Sequence, residues 1–581
     1  MPEDSGDSLE LTILMHSRRH LLLGAYVGLA ALKLWLAQGL PVFAIGPARV
    51  DDQLYISLAD HIIRGQWLGP YNELTLARGA FYPIWIAANF FVGLPLTFSQ
   101  QFAYAVGCWL VTRALHPLLR SGGAGLLIFA ALLWNPMSYE MPVLGRIGRH
   151  GIYTPLSLAV FAAAIALFMR MDRPDKKLWP WAMLGGFSLG AFWITREEGL
   201  WAVPALLILA FATVRKAWRS QQIRLFAQAT AVAVICGVTP IFSVCWLNWT
   251  HYGWFGTIEF RAPQFLHAYG ALCRLKPILP LPLVPVTHET RLRLYALSPA
   301  FAELQPYLEG ETGRMAAAAS APYLDRSPVE MEISGGQFIW ALRESVAKAG
   351  HCQNAHAALE YYDRLAHEID SLCDRGIVDA LPPRANMTPV WRPEYFQLLL
   401  NRFVRFSDYE ASFRDFKTGP MKSYGSIEQL VLFRDVTRSK LAPWADGTEP
   451  VYPLQAGLDE TKRQILQSIG KTLRRVYFTV VLFGLLAWLA LGAQSIRQHH
   501  PREFFIIGAA LLAGIFTLVT ILALIEISSF PTQNPGYFGE TYPLAILFGF
   551  GSCYAIWREF RRRQAPRQAQ TGFIHIIRRR I

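Results

Sequence analysis

Charge is what this 581-residue chain has little of. Asp, Glu, Lys and Arg make up 17% of it, against about 25% in soluble domains. Apolar residues reach 53% and mean hydropathy is +0.25. Seven cysteines are too few for a disulfide scaffold, abundant aromatics exclude disorder, and glycine without a period excludes a fibre. There is no Walker A phosphate loop, no HExxH and no Cys/His spacing suited to zinc, which removes ATP-driven pumps and zinc proteases. No internal repeat and no low-complexity tract occurs. Apart from Lys33, buried in a run or snorkelling from it, charges lie only near the ends of the apolar runs. Ion-coupled transporters usually carry charge near the midplane and often show repeats.

What is present is a series of apolar runs close to the bilayer-spanning length of about 20 residues. They lie at 21–44, 101–118, 123–140, 153–169, 179–194, 200–213, 225–247, 477–494, 504–527 and 540–556. This predicts a polytopic α-helical membrane protein of about ten spans. Residues 1–20 are polar and acidic and end in Arg18-Arg19; the next run has no small-residue cleavage site, so it reads as a span rather than a signal peptide. The stretch 81–98 is apolar but interrupted by Pro83, Gly93 and Pro95. Keeping it out of the count puts every basic short loop on one side, with 22 Lys/Arg in 84 residues against 6 in 85 on the other. By the positive-inside rule both termini are then cytoplasmic and 81–98 is interfacial. The expected location is a bacterial inner (plasma) membrane.

The resulting organisation is a cytoplasmic N-terminus (1–20), a seven-span module (21–247) with external loop 45–99, an external domain (248–475), a three-span module (476–556) and a basic cytoplasmic tail (557–581). The net charge of +13 resides in short loops and the tail, while 248–475 carries 26 Lys/Arg against 25 Asp/Glu. That distribution marks topology, and nucleic acid is not an expected partner. The external domain should be mainly helical: Phe338, Leu342, Val346, Leu359, Tyr362, Leu365, Ile369 and Leu372 keep a helical period, with Gly376 as a stop. Cys352 and Cys373 are either a disulfide or buried thiols.

The chemistry sits at membrane edges. Asp51 and Asp52 follow the first span, and Tyr55, Leu58, Ala59, Ile62 and Ile63 then share a helical face. One carboxylate can cap that helix; two adjacent ones, followed by Trp67, Tyr71, Arg78 and Tyr82, exceed what a cap requires. Glu140, Arg146, Arg149 and His150 fall in the next external loop. Arg196, Glu197 and Glu198 occupy the turn between spans five and six, and Tyr537, Glu540 and Tyr542 precede span ten. Arg78, Arg146, Arg149, His150 and Arg196 are candidate phosphate ligands. Trp67, Tyr71, Tyr82, Glu197, Glu198, Glu540 and Tyr542 are candidate substrate contacts. The plain alternative for each charge is a solvated or snorkelling side chain.

This layout resembles the GT-C superfamily of membrane glycosyltransferases. The matching features are the acidic motif Asp51-Asp52 in a long loop after the first span, the stretch Arg78-Gly79-Ala80-Phe81-Tyr82-Pro83 entering an amphipathic helix, and seven spans before a large domain. The stretch is similar to the Lys-Pro-Pro-Leu type segment of aminoarabinose and protein mannosyl transferases, with Gly-Ala-Phe in place of the prolines. The domain is placed as in protein O-mannosyltransferases but lacks their repeat. The resemblance implies an inverting transfer of a sugar from a polyprenyl-phosphate donor, at the bilayer surface, to a glycan, lipid or protein acceptor. Asp51 or Asp52 would be the general base, and a cationic side chain or a divalent cation (Mg or Mn) would stabilise the departing phosphate. The competing classes are a lipid-linked oligosaccharide polymerase or ligase, a polysaccharide or lipid transporter, and a non-catalytic assembly subunit.

Overall fold

The computed structural model describes residues 4–119, 121–173, 178–196, 198–388, 390–419, 421–445, 453–498 and 502–564. Glu197 and the tail beyond 564 therefore lie outside the described residues. Among the described residues the only β pairing is isolated bridges, and the helices of ten or more residues are α1 (Asp4–Ala37), α2 (Asp52–Ile63), α3 (Phe81–Val92), α4 (Leu96–Leu119), α5 (Gly122–Leu133), α6 (His150–Arg170), α7 (Trp179–Trp193), α8 (Val203–Arg219), α9 (Ile223–Tyr252), α10 (Pro263–Arg274), α11 (His288–Leu297), α12 (Glu311–Leu324), α13 (Gly335–Lys348), α14 (Ala355–Asp374), α15 (Tyr395–Ala411), α16 (Ile427–Thr437), α17 (Pro453–Arg497), α18 (Glu503–Ser528) and α19 (Thr541–Gln564).

The protein is a polytopic helical membrane protein. Each of the ten expected runs falls on a helix, but among the described residues seven helices are long and apolar enough to cross a membrane on their own. The three that fall short are α5, α7 and α19. α5 stops at Leu133 because Asn135 caps a new turn, its side chain accepting from Met137 N at 3.1 Å, and Pro136 opens that turn. α7 has 15 residues, about 22 Å at 1.5 Å per residue, and α19 turns basic at Arg561, Arg562 and Arg563.

The first run also ends early, at Ala37 rather than 44. Residues 38–46 leave the helix to pair with a stretch almost 400 positions on: Val42 bridges Leu441 and Ile45 bridges Tyr424. The 81–98 stretch is the 12-residue α3, too short to span. Gly93, at φ 80°, closes it in a left-handed conformation that a side chain resists, and α4 starts afresh at Leu96. At the other boundary, the change expected at 475 falls inside the single 45-residue α17.

Segment 248–475 is helical in its described residues but divides in two. Residues 258–373 have their own core, which takes in Ala77 of the first loop. Its helices follow the expected period, with Phe338, Leu342, Val346, Leu359, Tyr362, Leu365, Ile369 and Leu372 all buried. By contrast Phe406, Phe413, Phe416 and Phe433 belong to the core formed by the spanning helices. Cys352 and Cys373 are free thiols, which corrects the disulfide alternative. Lys33 is buried rather than snorkelling: its Nζ donates to Ser138 Oγ at 2.6 Å and lies 4.4 Å from the Tyr104 ring centre.

Candidate functional site

Asp51 occupies the N-cap position of α2, yet its side chain makes no capping hydrogen bond. It turns away to accept from Arg78 Nη2 at 2.9 Å. Arg78 also donates from Nε to Val50 O at 3.3 Å and stacks its guanidinium 4.8 Å from the Trp340 ring centre. Gly79 lets this segment press against the end of α7, since a Cβ there would stand 2.2 Å from Ile194 O. Asp52, one residue on, points to the opposite environment. It is buried and held by Arg146, whose Nε donates to Oδ1 at 3.2 Å and Oδ2 at 3.1 Å, with Nη2 also on Oδ2. Burial raises the proton affinity of Asp52 above its ordinary value, and Arg146 offsets that in part.

The facing wall is built from Arg149 and His150 at the start of α6 and from Arg196 and Glu198 in the α7–α8 turn. Arg196, buried, donates from Nε to Glu198 Oε2 at 3.1 Å and from Nη1 to Glu540 Oε1 at 3.4 Å. The same Nη1 is 3.4 Å from His150 Nδ1, and the Arg149 guanidinium reaches Thr195 O at 3.5 Å. Burial works against ionisation of Glu198, but Arg196 and Arg149 outweigh it and hold the carboxyl at about 2.

Between these walls lies a cavity of about 760 Å³. Asp51, Asp52, Arg78, Arg146, Arg149, His150, Arg196 and Glu198 all line it. They come from four separate stretches of chain, at the start of α2, the loop that leads into α3, the segment that enters α6 and the α7–α8 turn. The remaining candidates are elsewhere. Trp67 donates to Asn248 Oδ1 at 3.0 Å and Tyr71 donates to Glu259 Oε1 at 2.7 Å, both as ties between the first loop and later segments. Tyr82 is buried behind Tyr55, ring centres 5.2 Å apart. Tyr542 is buried against Phe413 at 5.3 Å. Glu540 is buried behind Arg196 and reaches the site through it and through His150, at 3.9 Å.

Reading by residue type missed Tyr55, Phe260, Trp340 and Phe530 as lining residues. Trp340 had no distinguishing signal, because it lies in a helix more than 250 residues from the Arg78 it covers. Tyr537 was visible beside Glu540, and it does line the cavity. As for a divalent cation, no group of three or more His, Cys, Asp or Glu among the described residues is placed to hold a metal ion. The cavity carboxylates are instead engaged by guanidinium groups.

Neither a family model nor a curated protein matches the sequence. Among solved structures, ArnT from Cupriavidus metallidurans in the apo state is similar over 92% of this chain and 78% of that one, at 14% identity and a TM-score of 0.31. At that level no property of ArnT is carried over to this chain.

Proposed function

We propose that this integral membrane protein is a glycosyltransferase that takes a sugar from a polyprenyl-phosphate donor and passes it to an acceptor hydroxyl on the external face of the membrane. The observation that supports this best is the convergence of two aspartates and five arginines, from distant parts of the chain, on one cavity at the ends of the spanning helices. A lipid-borne phosphate reaches only that depth, and buried guanidinium groups are suited to hold it.

In this reading the acceptor oxygen attacks C1 of the sugar, the bond from C1 to the phosphate oxygen breaks, and polyprenyl phosphate leaves. The acceptor proton goes to Asp51. Of the two aspartates Asp51 is the accessible one, its side chain 48% exposed against 1% for Asp52, and Arg78 engages only its Oδ1. Both oxygens of Asp52 are taken by Arg146, so Asp52 orients Arg146 toward the departing phosphate. Arg149 and Arg196 complete the positive wall, and preset charges of this kind are worth most where the leaving group becomes anionic.

Sugar transfer in proteoliposomes, with a polyprenyl-phosphate sugar as donor, tests the reading. A protein with intact Asp51 that neither binds nor turns over any such donor would overturn it. Reporter fusions after Pro95 and after Arg120 test the membrane orientation, and the expected result is opposite sides.

A further inference from the structure

Helix α15 has three faces where a helix on a soluble domain has two. Successive helical residues turn by about 100°, which sorts its side chains into arcs. Tyr395, Phe406, Tyr409 and Glu410 form a buried arc. Gln397, Asn401, Arg405 and Asp408 form an exposed polar arc. Between them run Phe396, Leu400 and Val404, spaced four apart and 60%, 46% and 67% exposed.

This apolar stripe continues a surface that already belongs to the membrane. Phe403, at the border of the stripe and the buried arc, packs its ring 5.7 Å from Phe516 of α18. Phe516 is itself 44% exposed and lies in one of the seven helices apolar enough to span. It precedes the end of α18 at Ser528 by twelve residues, about 18 Å along the axis. The contact therefore lies within the apolar run of α18. Where the polar arc ends, Asp408 pairs with Arg414, as suits the edge that meets water.

We propose that α15 is embedded in the bilayer beside α18, with Phe396, Leu400 and Val404 covered by lipid acyl chains and its polar arc turned toward the headgroups. The segment 248–475 is then anchored in the membrane at its middle as well as at its two ends. Apolar burial against acyl chains stabilises such a helix, while Arg405 can reach the headgroup level. The proposal does not depend on the transferase reading.

The test uses the full chain in nanodiscs, with an environment-sensitive thiol-reactive fluorophore on Leu400→Cys, Val404→Cys and, on the polar arc, Asp408→Cys. Each is corrected for the unsubstituted protein's own cysteines. Acyl-chain-brominated lipids should remove most of the emission at positions 400 and 404, and aqueous iodide should remove it at 408. Iodide quenching at 400 and 404 equal to that at 408 would show the stripe in water and overturn the proposal. Shielding of 400 and 404 from both quenchers would also overturn it, by assigning the stripe to a second copy or a protein partner. Two independent stripe positions keep the result readable if one variant fails to fold.

Discussion

Two arginine–carboxylate assemblies in this protein use the same chemistry for different ends. In the cavity, Asp51 and Asp52 meet Arg78 and Arg146. One turn along α13 from Trp340, Glu259 and Arg343 are paired at 2.6 Å with both side chains buried. Arg343 also donates to Glu73 O at 2.9 and 2.6 Å, and Tyr71 donates to Glu259. That second assembly fastens the first loop to the 258–373 core, and neither Glu259 nor Arg343 lines the cavity that Asp51 and Asp52 face. The first leaves carboxylate and guanidinium edges facing 760 Å³ of space. Charge pairing alone does not mark a site; a pair that keeps an unused edge toward a cavity does.

The sharpest way to break this comparison is Asp51→Asn. Because Asp51 makes no capping bond, the change should leave melting nearly unaltered while transfer falls by roughly 10²- to 10⁴-fold, the usual loss for a general base. A normal rate in a folded variant would remove the proposed base. Glu259→Gln is the counterpart: it leaves Arg343 charged and buried, and breaking a buried pair typically destabilises by about 3–5 kcal/mol. Thermal unfolding should show that loss. A drop in transfer at full stability would contradict a purely fastening role.

Glu198 sharpens the picture through pH. Its folded value of about 2 lies below its ordinary 4.5, so its ionised form stabilises the fold above pH 4.5, and that contribution disappears as the pH falls toward 2. Glu198→Gln should therefore flatten the loss of stability on acidification between those values. An unchanged pH–melting curve would mean that Arg196 does not hold Glu198 in solution. The smallest effect expected is at Trp67. Trp67→Phe removes one hydrogen bond to Asn248, worth about 0.5–1.5 kcal/mol, and should not alter transfer, since Trp67 does not line the cavity. A large rate loss there would move the site boundary.

Much of the site was legible at the level of residue type. Charges beside apolar runs are expensive to keep without use, so Asp51, Asp52, Arg146, Arg149, His150 and Arg196 stood out, and each lines the cavity. The aromatic residues chosen by proximity in sequence fared differently. Trp67, Tyr71, Tyr82 and Tyr542 lie in the same short segments, but helical and loop geometry turns them into other contacts. Sequence neighbours share a segment without sharing a direction.

The sequence by itself determined that the chain is a helical membrane protein, where its runs lie and which charges sit at membrane edges. Those follow from composition and from a 3.6-residue period, both local properties. Only tertiary structure decided that Asp51 faces open space while Asp52 is clamped, that Trp340 covers Arg78, and that 395–433 packs into the spanning core while 258–373 keeps its own. These depend on which distant segments meet, and a period along one helix carries no record of what will press against it.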